Sequence, residues 1–361
     1  MKKIRLALGK RSYDIFIGAQ EIKDLGRKLK ALDLGTDAYI LTNKLIKDKY
    51  GLLLKRVLLK EGFGCYFKLV ADTEKSKSIA TAAAVIKDIA GRDYKKRIFI
   101  IAFGGGVVGD LAGFVASVYK RGIPYLQVPT TLLAQVDSSI GGKTGVDLDA
   151  GKNLVGAFYQ PRLVFSDIAF LKSLPLRQLK AGLAEVIKYS LIADKRLFVF
   201  LQNRYRDVLK RDPDVLKKII YACSLIKADL VSEDEKEVLS KRTLLNFGHT
   251  LGHAIEAAGG FSLYNHGEAV ALGMLSAIEM SRSLKLLKPE DARLAKRLIK
   301  LYGLPDKLKG VSLEKVINAH FHDKKFKGRK NRFVLLAAIG KAKVVSDISL
   351  DIVKEGLKSI S

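Results

Sequence analysis

The chain has 361 residues, 48% of them apolar, and a net charge of +27 from 64 Lys+Arg against 37 Asp+Glu, enough length for a substantial core and for two domains. No run approaches the roughly 18 uninterrupted apolar residues of a membrane span, and MKKIRLALGKRSYDIFIG alternates where a signal peptide needs a continuous apolar stretch, so a soluble cytoplasmic protein is expected. The two cysteines, Cys65 and Cys223, exclude a disulfide framework or a cysteine-rich zinc site, so any metal must use histidine and carboxylate.

Along the chain, 3–8 and 13–17 read as a hairpin turning near Gly9. Strands follow at 38–42, 65–70, 98–103, 125–128 and 163–165, separated by helical patterns such as 76–89. Short apolar strands alternating with helices imply a mostly parallel sheet covered on both faces. From Leu176 to about Leu301 the periodicity is almost entirely helical, broken near Pro213, Gly259–Gly260 and Pro289, with one late strand-like run at 332–339. The expected division is an α/β nucleotide-binding domain over 1–173 and a mainly helical metal- and substrate-binding domain over 174–361, closely packed around a cleft. The excess lysines are spread over the helical patterns 20–30, 44–60, 195–218 and 282–300 and are not interleaved with aromatics. A solvated basic surface is expected, with no nucleic-acid partner, and its field suits an anionic substrate.

The strand at 98–103 runs into GGGVVGD (104–110) and then an apolar helix, the order that presents glycine backbone and a helix N-terminus to a pyrophosphate. Gly104, Gly106 and Gly109 satisfy G-x-G-x-x-G, yet 125–132 contains no acidic residue to hold a ribose hydroxyl, and no Gly-Lys-Ser/Thr follows as in a P-loop. Downstream, 121–158 is rich in Gly, Thr, Ser, Asp and Lys. It reads as a long functional loop at the carboxyl edge of the sheet, where Thr130, Thr131, Asp137, Lys143, Lys152 and Asn153 need polar partners.

Three of five histidines fall within NFGHTLGHAIEAAGGFSLYNHGEA: His249, His253 and His266. His249 and His253 stand at i and i+4, the usual spacing for two imidazoles on one ion, while His266 opens the next helical pattern, followed by Glu268. Two neutral imidazoles call for a carboxylate, and Glu185 in the apolar GLAEVIKY (182–189) is the candidate. Lys188, three residues on, shares its face.

GGGVVGDLAGFVASVYKRGI, VPTTLLAQVDSSIGGKTGVD, GKNLVGAF, GLAEVIKY, DEKE before LNFGHTLGHAIE, and HGEAVALGM together resemble the 3-dehydroquinate synthase family, in the same order, from about Asp72 to Lys325. The resemblance implies that Glu185, His249 and His266 bind a divalent metal, zinc or cobalt, with His253 facing the substrate. It implies an NAD site of Asp72, Thr73, Glu74, Lys75, Ser76, Lys77, Gly105, Gly106, Val107, Val108, Gly109, Asp110, Thr130, Thr131, Lys143, Lys152, Phe170, Leu171, Lys172 and Ser173. Substrate contacts would come from Asp137, Lys143, Asn153, Lys188, Lys227, Arg242, Asn246, His253 and Lys324 or Lys325, with Arg121 contributed by the neighbouring subunit of a homodimer. The implied reaction converts 3-deoxy-D-arabino-heptulosonate 7-phosphate to 3-dehydroquinate and phosphate, in the shikimate pathway to the aromatic amino acids, by transient oxidation, phosphate elimination, re-reduction and aldol closure. Two departures from the family pattern are one extra residue between DEKE (234–237) and LNFG, and Gln178 in place of Glu.

Overall fold

The structure, a computed structural model, describes residues 1–148, 151–322 and 331–361. It divides into two compact units, Met1–Leu174 with Leu216–Lys236, and Pro175–Val215 with Glu237–Ser361. The segment Leu216–Lys236, which a single cut near 173 leaves with the second half, is tied to the first unit by polar contacts. Ser224 Oγ donates to the Gln135 carbonyl at 3.4 Å, and Glu235 pairs with Arg11 at 2.6 Å.

The first unit is built on β1 (Lys2–Leu6), β2 (Tyr13–Gly18), β3 (Asp37–Thr42), β4 (Gly64–Leu69), β5 (Ile98–Gly104), β6 (Tyr125–Pro129), β7 (Lys143–Leu148), β8 (Gly151–Phe158) and β9 (Leu163–Asp167). Seven of these form one sheet in the order β1-β2-β9-β6-β5-β3-β4, antiparallel only between β1 and β2. The middle strands read as unbroken apolar runs because both faces are covered. In β5, Phe99, Ile101 and Phe103 pack into the cluster with Leu25, Leu54 and Leu58, while Ile98, Ile100 and Ala102 pack into the cluster with Val85, Val108 and Leu111.

The region 121–158 is not the long loop that its polarity suggested. A π-helical turn spans Ala134–Ser138, and β7 and β8 form an antiparallel hairpin with Val146 opposite Val155. Glycine and polar residues at half its positions hide the alternation: in β7 Thr144, Gly145 and Val146 are all buried, and Lys143 and Leu148 at its ends are exposed.

The second unit is mainly helical: Leu176–Ala193, Lys195–Asn203, His249–Ala258, His266–Ser283, Pro289–Leu301, Leu313–His322 and Leu350–Lys358. The strand-like run at 332–339 is β10 (Arg332–Ala338), and it pairs with β11 (Lys341–Ser346), which was not foreseen because its half-exposed, lysine-containing sequence carries little apolar signal. Pro213 and Pro289 open helices, as proline's fixed φ favours, and Gly259 ends one. The helix His266–Ser283 buries every residue from Ala269 to Ser281.

Its glycines are where neighbouring helices touch. A Cβ on Gly267 would stand 2.3 Å from the Ala181 Cα, and one on Gly273 2.0 Å from the Gly248 carbonyl oxygen. Those contacts draw the helices carrying residues 185, 249 and 266 to backbone distance.

Candidate active site

In the first unit the parallel order β4-β3-β5-β6-β9 reverses direction between β3 and β5, the switch point at which open α/β sheets bind ligands. β5 ends there at Gly104, and the helix Gly106–Val118 starts two residues on, its first N–H groups having no intrahelical acceptor. The glycines have different reasons to be small. A Cβ on Gly104 would lie 2.8 Å from Val108, and one on Gly109 2.8 Å from Gln127, so packing requires both. Gly105 and Gly106 would meet only side chains, Thr131 at 3.1 Å and Ser138 at 3.2 Å, and leave a smooth backbone turn suited to a dinucleotide's phosphates. Val108 is wholly buried, its side chain packed against Gly104. Thr130, at the end of β6, donates its N–H to the Gly104 carbonyl at 2.9 Å, which sets Thr131 beside the turn.

Residues 72–77 follow β4 at the same edge, with Asp72 exposed and Glu74 half-buried. Lys77, 4% exposed, is the hub here: Nζ lies 3.0 Å from Asp110 Oδ2, 3.7 Å from Glu74 and 3.9 Å from Asp147, and donates to Asn153 Oδ1 at 2.5 Å. Burial opposes its charge, but the carboxylates of Asp110 and Glu74 outweigh that and raise its pKa. Lys152 Nζ lies 3.7 Å from Glu74, Lys143 is exposed at the start of β7, and Ser173 Oγ lies 3.0 Å from the Tyr50 hydroxyl. Phe170 and Leu171 are core residues, and Lys172 is exposed. Asp137 and Lys227 pair directly at 2.5 Å, Lys227 also donating to the Asp137 carbonyl at 2.8 Å. Arg121 is exposed on a turn where both it and Lys120 have positive φ, 63° and 48°.

In the second unit Glu185, His249 and His266 each offer a ligand atom, all within 4.8 Å of one another. Glu185 is fully buried in the helix Leu176–Ala193. Its Oε1 lies 3.4 Å from His249 Nε2 and 3.3 Å from His266 Nε2, and its Oε2 2.5 Å from Lys188 Nζ. Neither carboxylate oxygen has a well-aligned hydrogen-bond donor. A buried carboxylate with two imidazole nitrogens beside it and no aligned donor of its own fits a divalent cation. Burial would raise the Glu185 pKa, but Lys188 and His249 hold it well below the usual carboxylate range. Burial and Lys188 together lower that of His249, whose Nδ1 faces the Phe247 carbonyl at 3.1 Å, leaving Nε2 for an ion. His266 is pushed up to about 10, burial being outweighed by Glu185 and Glu256.

His253 is exposed, and its ring lies 5.5 Å from that of His249, edge-on. The i, i+4 pair shares a helix face, but neither donor group among the described residues contains both; each takes His266 from another helix. A second trio, His253, Glu256 and His266, also brings its donor atoms within 4.8 Å. Arg242 is 2% exposed with Nε 3.3 Å from Glu237, and Asn246 is exposed. Lys324 and Lys325 lie outside the described residues. Sequence reasoning passed over Glu237, Asp147 and Glu256; a glutamate in HTLGHAIEAA, three residues after His253, was the available signal for the last.

The model of the family described as 3-dehydroquinate synthase N-terminal matches residues 68–181, and that described as 3-dehydroquinate synthase C-terminal matches 182–326. A 3-dehydroquinate synthase of Thermodesulfovibrio yellowstonii is 42% identical over 358 residues, 99% of each chain. Among solved structures, a 2-deoxy-scyllo-inosose synthase in complex with carbaglucose-6-phosphate, NAD+ and Co2+ superposes with a TM-score of 0.90 at 25% identity over all of both chains. The 2-epi-5-epi-valiolone synthase of Streptomyces hygroscopicus subsp. jinggangensis, with NAD+ and Zn2+ bound, gives 0.89 at 25% identity over 98% of each.

Proposed function

The chain belongs to the 3-dehydroquinate synthase family, and from that we propose how its two units divide the work on 3-deoxy-D-arabino-heptulosonate 7-phosphate. The single observation that carries the reading is Glu185, buried, without an aligned hydrogen-bond donor and flanked by the Nε2 atoms of His249 and His266. These three residues hold a divalent ion, zinc or cobalt, and Lys188 keeps Glu185 ionised before it is bound. The turn Gly105–Gly106, the backbone of Val107, Val108 and Gly109, and Asp110, with Thr130, Thr131, Lys143, Lys152, residues 72–77 and 170–173, hold NAD. When bound, NAD takes and returns one hydride and the ion acts as a Lewis acid.

The chain's own groups bind and orient an anion. Lys188, Arg242, Asn246 and His253 present donors in the second unit, and Lys143, Asn153 and Lys227 in the first, where the Asp137 carboxylate is an acceptor for a substrate hydroxyl. Ion pairs such as Lys227 with Asp137 and Arg242 with Glu237 hold the cationic heads in place beforehand, which is the positional contribution expected where the substrate supplies much of the reactivity. Arg121, on its exposed strained turn, completes the neighbouring site of a homodimer. Two free cysteines fit a cytoplasmic location.

The test is a phosphate-release assay with the heptulosonate phosphate. Release proportional to product, dependent on NAD but without net NADH, is expected. NADH accumulating in step with turnover identifies a dehydrogenase, and release only from a hexose phosphate moves the chain to a different cyclase reaction.

A further inference from the structure

We propose that Glu256 is a positioning residue for the metal centre, holding His266 in the orientation and tautomer that turn Nε2 toward Glu185. The inference rests on the reading of Glu185, His249 and His266 as the ligand set. Glu256 lies on the helix His249–Ala258, seven residues after His249, and is 5% exposed. Its Oε2 is 3.5 Å from His266 Nδ1, while the opposite nitrogen of the same ring, Nε2, is 3.3 Å from Glu185 Oε1. The imidazole is thus held at both ends by carboxylates from two different helices. An imidazole that gives one nitrogen to an ion must carry its proton on the other, and an acceptor at that second nitrogen decides which is which. His249 solves the same problem with a backbone acceptor, the Phe247 carbonyl 3.1 Å from Nδ1. His266 likewise opens its helix as the first residue after the cap, but its Nδ1 faces the Glu256 carboxylate instead of a main-chain carbonyl.

The placement also separates Glu256 from the competing role of ligand. The trio His253, Glu256 and His266 would draw on His266 Nδ1, the nitrogen beside Glu256, and would leave the buried Glu185 carboxylate and His249 Nε2 outside the ligand set. An ion on Glu185, His249 and His266 keeps the fully buried carboxylate neutralised, and Glu256 then retains the His266 N–H.

The experiment measures cobalt dissociation constants by chelator competition, the visible spectrum of the cobalt-loaded protein, and the melting of the metal-free form, for wild type, Glu256→Ala, Glu256→Gln and His266→Ala. Loss of a carboxylate partner to a ligating histidine weakens metal affinity by about 10–100-fold. Glu256→Ala is expected in that range with a shifted spectrum, and Glu256→Gln, which keeps an acceptor oxygen, between it and wild type. Cobalt affinity and spectrum unchanged in both variants would overturn the proposal, even if metal-free melting falls, since a purely structural role moves only the melting. Loss of cobalt as complete as in His266→Ala, in Gln as well as Ala, also overturns it by making Glu256 a ligand. A wild type that binds no ion removes the ligand set and the inference with it, an outcome distinct from the other two. Should Glu256→Ala not fold, the near-isosteric Gln variant carries the comparison.

Discussion

His266 stands between two carboxylates, whereas His253 is exposed a turn along from His249. His266→Ala is therefore expected to lose metal and activity together, and His253→Ala to keep metal while losing activity. Metal analysis of the purified variants decides, and the reverse pattern would redraw the site around the i, i+4 pair. Lys77 offers a second single-residue test. Removing one partner of a buried charge pair costs about 3–5 kcal/mol because the other is left uncompensated. Lys77→Met, which strands Asp110, is expected near the lower end, since the Asp110 side chain keeps 23% exposure. A urea unfolding midpoint equal to wild type would show that the Lys77 hub contributes nothing.

Among elements, the start of the helix His266–Ser283 carries the most consequence. Asn265 caps it reciprocally with Glu268, the Asn265 side chain accepting from the Glu268 N–H at 2.9 Å and the Glu268 carboxylate from the Asn265 N–H at 2.9 Å. Asn265→Ala is expected to cost about 1 kcal/mol in unfolding experiments and to weaken metal binding, because His266 follows the cap directly. Burial opposes ionisation of Glu268, but Arg177 and the Asn265 N–H depress its pKa below the ordinary value. Its contribution is therefore present above the unfolded carboxylate range and lost as pH falls through the depressed folded value, so a Glu268→Gln penalty shrinks in acid. A penalty that grows in acid contradicts this sign.

The crossing at Gly267 gives a steric test of the same element. Gly267→Ala forces a carbon to 2.3 Å from the Ala181 backbone and pushes apart the helices bearing His266 and Glu185. A stability loss of about 1–3 kcal/mol with weakened metal binding is expected. Gly91→Ala serves as the control, its φ being −68° and its nearest neighbours at 3.7 Å; it should be neutral or slightly stabilising. Equal metal affinity in the two variants would mean that helix spacing does not set the site.

For the molecule as a whole, +27 on 361 residues creates a positive field that attracts a phosphorylated, carboxylated substrate. Charge steering of this kind is worth about 10-fold or more in association rate and falls steeply with ionic strength. kcat/KM for the heptulosonate phosphate is expected to fall as sodium chloride is raised, with kcat little changed. A flat kcat/KM across the salt series would reduce the charge to a solvated surface without kinetic effect.

Much of this was written in local pattern. The apolar runs of β3, β5, β6 and β9 are set by burial on both faces, the turn after β5 by a strand, glycines and a helix in succession, and the helix starts at Pro213 and Pro289 by proline chemistry. Each depends on neighbours a few residues apart, so the sequence carries it. The β7–β8 hairpin and β11 were not legible, because their pairing is satisfied across strands by backbone groups that polar and glycine residues supply as well as apolar ones. Which imidazoles meet was not legible either. Spacing put His249 with His253, yet the donor group of Glu185, His249 and His266 draws on three helices, brought to backbone contact at Gly267 and Gly273. Glu256 acquires its partner in the same way, across two helices. One-dimensional periodicity states which face of a helix is apolar; only the crossing of helices, decided by where a missing Cβ lets backbones touch, determines which polar atoms on those faces come within reach of one ion.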